Sequence, residues 1–192
     1  MSPLIFIRHA ETDMAGTFCG QSDPPINTAG QMQVADLIVR LAVETFDMIY
    51  SSDLQRAVDT ATPIAEAFNL PLYKTSDLRE VHFGDWEGLT WNEIEERDPD
   101  YAQRWLQSFP SLPAPQGESF AAFESRILQE VTHLKNMEQG KKVIVVTHGG
   151  VMRVVLRTLL SYTEQAAHDI TKAYCSSFEC AEAAATHKVV VR

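Results

Sequence analysis

The chain has 192 residues, 45% of them apolar and 22% charged, with a formal charge of −10; this is the composition of an ordinary globular chain, and the length suits one domain over residues 1–192. The acidic balance disfavours nucleic acid and anionic membranes as partners, yet a small anion stays compatible, because clustered arginines outweigh a field that salt screens over about 10 Å. Cys19, Cys175 and Cys180 show neither zinc-ligand spacing nor a disulfide framework, the apolar stretch after Pro3 is too short for a signal-peptide core, and no run reaches membrane-spanning length, so a cytoplasmic setting is expected.

Strand and helix signals alternate along the chain. Leu4-Ile5-Phe6-Ile7 reads as a buried strand that ends on Arg8-His9. A loop from Gly16 to Asn27 follows, rich in Gly, Asp and Pro. Thr28 with Gln31 predicts a capping box for a helix whose apolar stripe is Val34, Leu37, Ile38 and Leu41. Met48-Ile49-Tyr50 is a second short strand. Ser51-Ser52-Asp53 then supplies caps for a helix carrying Arg56, Ala57, Ala61 and Ile64, which Pro63 is expected to kink or restart.

Leu70 to Thr75 reads as an edge strand, since Pro71 stands at its start. Leu78 to Gly88 is irregular. Thr90 and Glu93 predict a capping box for a helix toward Arg97, and a second helix is expected over Tyr101 to Leu106, before the loop containing Pro110, Pro113 and Pro115. Phe120, Phe123, Ile127, Val131 and Leu134 mark one face of a long amphipathic helix. The apolar run Val143 to Thr147 ends on His148 and passes through Gly149-Gly150 into a helix over Val151 to Leu160. Two β-like runs remain in the tail, Ser177 to Ala181 and Lys188 to Val191, whose pairing the pattern leaves open. The order of elements predicts an α/β fold, a three-layer α/β/α sandwich with a mostly parallel central sheet.

Ligands of such sheets bind outside the carboxyl ends of the strands, where this chain delivers Arg8-His9 and His148. A guanidinium beside a neutral imidazole suits a phosphate. Each residue also has a plainer reading: a solvated strand end for Arg8-His9, a surface helix position for Arg56, a loop acid for Glu80, a helix cap for His148.

Taken together, RHAET at Arg8 to Thr12, SSDLQRA at Ser51 to Ala57, LREVHFGDWEG at Leu78 to Gly88 and VTHGG at Val146 to Gly150 resemble the histidine phosphatase superfamily, also called phosphoglycerate mutase-like, in its order and spacing over nearly the whole chain. The resemblance implies that fold, and a phosphoryl transfer through a phosphohistidine with His9 as nucleophile. It implies Arg8, Arg56 and His148 as ligands of the phosphoryl oxygens, and Glu80 as the group that gives a proton to the leaving oxygen and later takes one from water. No metal or other cofactor is called for. Cys19, Gly20 and Gln21 fall in a substrate-contacting loop of the family, and Gly149, directly after His148, is a further candidate substrate contact. His82, two residues beyond Glu80, shares its face in extended backbone and is a candidate substrate contact. Two positions depart from the family pattern: Ala10 stands where most members have glycine, and Ala15 where many have an asparagine that also holds phosphate.

FGDWEGLTWNEI and PQGESFAAFESRI look most like the α-ribazole phosphatases of cobalamin nucleotide-loop assembly, which implies a small-molecule phosphate ester as partner. Phosphatases of other small esters share this texture, and a cofactor-dependent phosphoglycerate mutase is a second class. The stretch between Glu80 and His148 looks shorter than in mutases, and the tail lacks their long closing segment. A non-enzymatic phosphate-ester module would keep the same pocket, although every catalytic group is present. The sequence carries no signature of oligomeric state.

Overall fold

The computed structural model describes residues 3–180. Five strands form one sheet in the order β3-β2-β4-β1-β5, with β1 at Leu4–Arg8, β2 at Met48–Ser52, β3 at Leu72–Thr75, β4 at Val143–Thr147 and β5 at Ser177–Cys180. The first four run parallel, and β5 lies antiparallel on β1, pairing Leu4 with Cys180 and Ile7 with Ser177. The first of the two tail runs is therefore an edge strand. The second, Lys188 to Val191, lies outside the described residues.

Side-chain alternation separates two cores. Leu4, Phe6, Val143 and Val145 face the helices α5 (Phe120–Met137) and α6 (Gly149–Val154), while Ile5, Ile7, Ile144 and Val146 face α1 (Thr28–Leu41) and α2 (Gln55–Phe68). A strand buried on both faces has no polar side to display, hence the unbroken apolar runs. A third, aromatic cluster sits apart. Trp86, Ile94, Ala102 and Ala114 form its centre with Phe18, Phe83, Trp91 and Trp105 around them, carried by α3 (Trp91–Arg97), α4 (Pro99–Ser108) and the adjoining loops.

Several local expectations change. Helix α1 is capped by Asn27, whose side chain accepts from the Gly30 amide at 2.8 Å, so Thr28 is its first helical residue and the Thr28/Gln31 box does not form. Thr90 and Glu93 do form theirs. Pro63 lies inside an unbroken α2, because a proline removes one backbone bond that burial of Ala61, Ile64 and Ala65 on the sheet offsets. The last sheet-covering helix starts earlier than expected, at Gly149, and its α geometry gives way to a π turn at Val155–Leu159. Helix α7 (Glu164–Thr171) then leads to β5.

Candidate active site

Registration of β1 on β4 sets Arg8 against Thr147, so the next residues of both strands, His9 and His148, emerge side by side. The His9 amide donates to the Thr147 carbonyl at 2.8 Å, and the two imidazole centroids lie 5.2 Å apart. Helices α1 and α6 leave these neighbouring strands toward opposite faces of the sheet, which opens a crevice at that point.

Arg56 comes from the first turn of α2 and is almost wholly buried. Its Nε donates to His9 Nε2 at 3.3 Å, and its two terminal nitrogens donate to the carbonyls of Ser22 and Gly20, each at 2.6 Å. His9 Nδ1 lies 2.7 Å from the Ala10 carbonyl. A carbonyl only accepts, so Nδ1 carries the proton and Nε2 presents a lone pair. Burial, and after it the Arg56 charge, holds the His9 pKa well below the usual histidine range, against the Ala10 carbonyl, which favours the charged ring. The neutral ring, with its lone pair on Nε2, is thus the resting form.

Ala10, the first departure from the family pattern, is itself buried, and its amide donates to Thr60 Oγ1 at 2.9 Å. It belongs to the same buried core cluster as Ile7, Ala57 and Ala61. Ala15, the second, is exposed.

Arg8 is anchored through one terminal nitrogen to the Thr171 and Lys172 carbonyls, at 3.1 and 2.5 Å, and its guanidinium stacks 4.3 Å from the Tyr174 ring centroid. Its Nε is buried and unpartnered among the described residues, as are both ring nitrogens of His148. His148 occupies the cap position of α6 without capping it, so the plainer reading of this residue fails. Burial first, then Arg56, lowers its pKa well below the ordinary histidine value. Buried polar atoms are nearly always bonded, so the Arg8 Nε–H and the single N–H of the neutral His148 ring, both close enough to feel the Arg56 charge or exert their own beside it, are candidate donors to an oxyanion.

Glu80 stands across the crevice. Its Oε2 accepts from the Gly150 amide at 2.8 Å, and its Oε1 from the Val81 amide at 3.1 Å. Gly150 leaves room for it: a methyl there would lie 2.1 Å from Glu80 Oε1.

A cleft of about 530 Å³ is lined by Arg8, His9, Arg56, Glu80 and Gly149, whereas fully buried His148 is not among its lining residues. One wall is aromatic, with Phe18, Phe83, Trp91, Trp105 and Phe109, and the other carries Arg153, Arg157, His168 and Lys172. Arg157 pairs with Glu164 and Lys172 with Asp169. Half-buried Arg153 makes no hydrogen bond or ion pair with any described residue. Cys19 and Gly20 line the cleft, whereas Gln21 and His82 do not. Gln21 turns away to donate to the Glu80 carbonyl at 3.2 Å, and His82 points to Glu87 at 3.7 Å, because the backbone at Glu80 to Phe83 is not the extended strand that would align alternate residues.

Tyr174 and Arg153 were not legible as site residues, since neither sits in a motif. His168, which had no catalytic company in sequence, reaches the cleft mouth through α7; His187 lies outside the described residues. Among the described residues no cluster of three metal-ligating side chains occurs, and no helix is long and apolar enough to cross a membrane.

Residues 4–190 match the family model described as the histidine phosphatase superfamily, branch 1. A metal-independent phosphoserine phosphatase of Arabidopsis thaliana is 36% identical over 160 residues, covering 81% of this chain and 67% of that protein. The adenosylcobalamin/α-ribazole phosphatase of Escherichia coli is 28% identical over 165 residues, covering 85% and 81%. Among solved structures, Bacillus stearothermophilus YhfR superposes with a TM-score of 0.84 at 30% identity, covering 100% of this chain and 96% of that one.

Proposed function

Because the chain belongs to the histidine phosphatase superfamily, branch 1, we propose that it hydrolyses a small phosphomonoester through a phosphohistidine at His9, with α-ribazole 5′-phosphate as its first substrate. The observation that carries the chemistry is the hydrogen bonding of His9: Nδ1 lies against the Ala10 carbonyl and so carries the proton, and the lone pair of Nε2 accepts from Arg56 Nε.

In the first step His9 Nε2 forms a bond to phosphorus, the ester P–O bond breaks in line, and the leaving oxygen takes the proton of Glu80. In the second, water attacks phosphorus, Glu80 takes its proton, and the P–N bond breaks to release phosphate. Arg56 has five N–H groups and three are engaged, so two remain for the phosphoryl oxygens. Arg8 Nε and the His148 ring supply further donors where charge builds up.

Support for α-ribazole 5′-phosphate comes from the aromatic wall of a cleft far larger than a phosphate, which suits a leaving alcohol with a flat ring, and from the E. coli relative. Phosphoserine is the second reading, favoured by Arg153, which has no hydrogen-bond or ion-pair partner among the described residues and suits a carboxylate on the alcohol, and by the Arabidopsis relative. Initial rates on α-ribazole 5′-phosphate, phosphoserine and 3-phosphoglycerate, with and without 2,3-bisphosphoglycerate, test both. Fastest release from α-ribazole 5′-phosphate, with loss in His9→Ala, is expected. Faster phosphoserine hydrolysis would overturn the substrate, and faster isomerisation of 3-phosphoglycerate would overturn hydrolysis.

A further inference from the structure

Among the described residues Arg56 pairs with no carboxylate. Its guanidinium is held by two main-chain carbonyls, Gly20 and Ser22, so its aim at His9 is only as firm as the loop that carries them. Upstream, that loop is tied by the Phe18 amide to the Leu89 carbonyl at 2.8 Å; downstream, Asp23 accepts from the Gln55 amide. Between those ties stands Glu87. Its Oε1 accepts from the Gln21 amide at 2.7 Å and from the Phe83 amide at 3.2 Å, and its Oε2 from Ser22 Oγ at 3.0 Å.

The fit at Glu87 is close. Gly20 adopts a positive φ of 49°, and a methyl there would lie 2.5 Å from Glu87 Oε1, so only glycine lets the chain turn and the carboxylate approach together. Glu87 itself closes the short 3₁₀ turn of Gly84–Trp86, which belongs to the aromatic lobe. One carboxylate therefore joins three parts: the lobe, the loop and, through the loop carbonyls, the arginine beside the nucleophile.

We propose that Glu87 is a positioning residue, which aims Arg56 at His9 by holding the Gly20 to Ser22 loop against the aromatic lobe. It rests on reading His9 and Arg56 as the phosphoryl-transfer pair. Removing the carboxylate leaves the Gln21 amide without its acceptor, the loop relaxes, and the guanidinium drifts from Nε2. Transfer then slows, and His9 loses part of the positive field that keeps it neutral. The other charged or titratable groups around His9, namely Arg8, His148, Tyr174, Cys19 and Glu80, are not bonded to Glu87, whose titratable contact is His82, with Nε2 3.7 Å from Oε1.

The test compares wild type, Glu87→Ala and Glu87→Gln by p-nitrophenyl phosphate hydrolysis across pH and by thermal melting. Glu87→Ala is expected to lose about 10- to 100-fold in kcat, as misplacement by about 1 Å does, with a smaller change in KM. The acid limb of its kcat/KM profile should move to higher pH. Glu87→Gln keeps an oxygen for the two amides and an amide group for Ser22 Oγ, so it should recover most of the rate and the wild-type limb. An unmoved acid limb in Glu87→Ala, or Glu87→Gln as impaired as Glu87→Ala, would overturn the proposal. If Glu87→Ala fails to fold, Ser22→Ala carries the test: it cuts one of the carboxylate's bonds and should shift the limb the same way, and an unshifted limb would overturn the proposal. Wild-type enzyme without phosphatase activity would instead defeat the reading on which it rests.

Discussion

Replacing Gly150 by alanine puts one methyl group into the seat of Glu80. The new Cβ would lie 2.1 Å from Oε1, 2.9 Å from Cδ and 3.1 Å from Oε2, where ordinary contacts begin at 3.4 Å. Backbone in α6 is fixed by the sheet, so the flexible carboxylate yields, retreating by about 1 Å and weakening its bond to the Gly150 amide. Fold stability should hardly change. Alanine gains about 1 kcal/mol over glycine in a helix, which roughly offsets the lost hydrogen bond at a site water can reach. Hydrolysis of an alkyl phosphate, whose leaving oxygen needs a proton, should fall about 10²-fold or more. p-Nitrophenyl phosphate separates the two steps, because its leaving group departs unprotonated. Stopped-flow measurement should show a retained burst of p-nitrophenol followed by slow turnover, since water still requires the carboxylate. Alkyl-ester turnover within about threefold of wild type would refute the role given to Glu80.

Arg56→Ala should keep a folded core yet lose about 10²- to 10³-fold in kcat, the usual cost of one donor to a transition-state oxyanion; steady-state kinetics at an unchanged rate would remove Arg56 from the site. The buried, neutral histidines set an acid limit to stability. Their pKa values lie well below the ordinary one in the folded state, so below about pH 6.5 the unfolded chain binds protons that the folded chain refuses. Stability is then complete above that pH and falls on acidification by about 1.4 kcal/mol per pH unit for each histidine, toward the folded pKa. Urea melts between about pH 5.5 and 7.5 should show this slope, halved in His148→Asn; flat midpoints would show that these rings are protonated in the native state.

Much of the scaffold was readable from local pattern. The runs at Leu4 to Ile7 and Val143 to Thr147 announced strands buried on both faces, and Thr90 with Glu93 announced its cap. Asn27 displaced Thr28 as cap of α1 because a one-residue choice among small polar residues turns on backbone geometry that no pattern carries. His82 turns toward Glu87 for a similar reason. Alternation places residues on one face only in extended backbone, and Glu80 to Phe83 is a loop stitched to Glu118 through the His82 carbonyl at 2.8 Å. Glu87 lay in plain view within FGDWEG, but an acid whose partners are amides of a distant loop leaves no spacing signal.

The order of residues along the chain determined which segments are strands and helices, and which side chains stand at strand ends, because burial writes a periodicity of 2 or 3.6 into local sequence. It also supplied the arginines, histidines and glutamate whose chemistry suits a phosphoryl group. Tertiary structure alone decided that Arg8 pairs with Thr147 and so sets His9 beside His148, that antiparallel β5 returns Tyr174 to the Arg8 guanidinium, and that carbonyls of the Gly20 to Ser22 loop turn Arg56 toward Nε2. Strand register and loop docking are settled by contacts between residues far apart in the chain, and the free energy of such contacts exists only once the layers have packed.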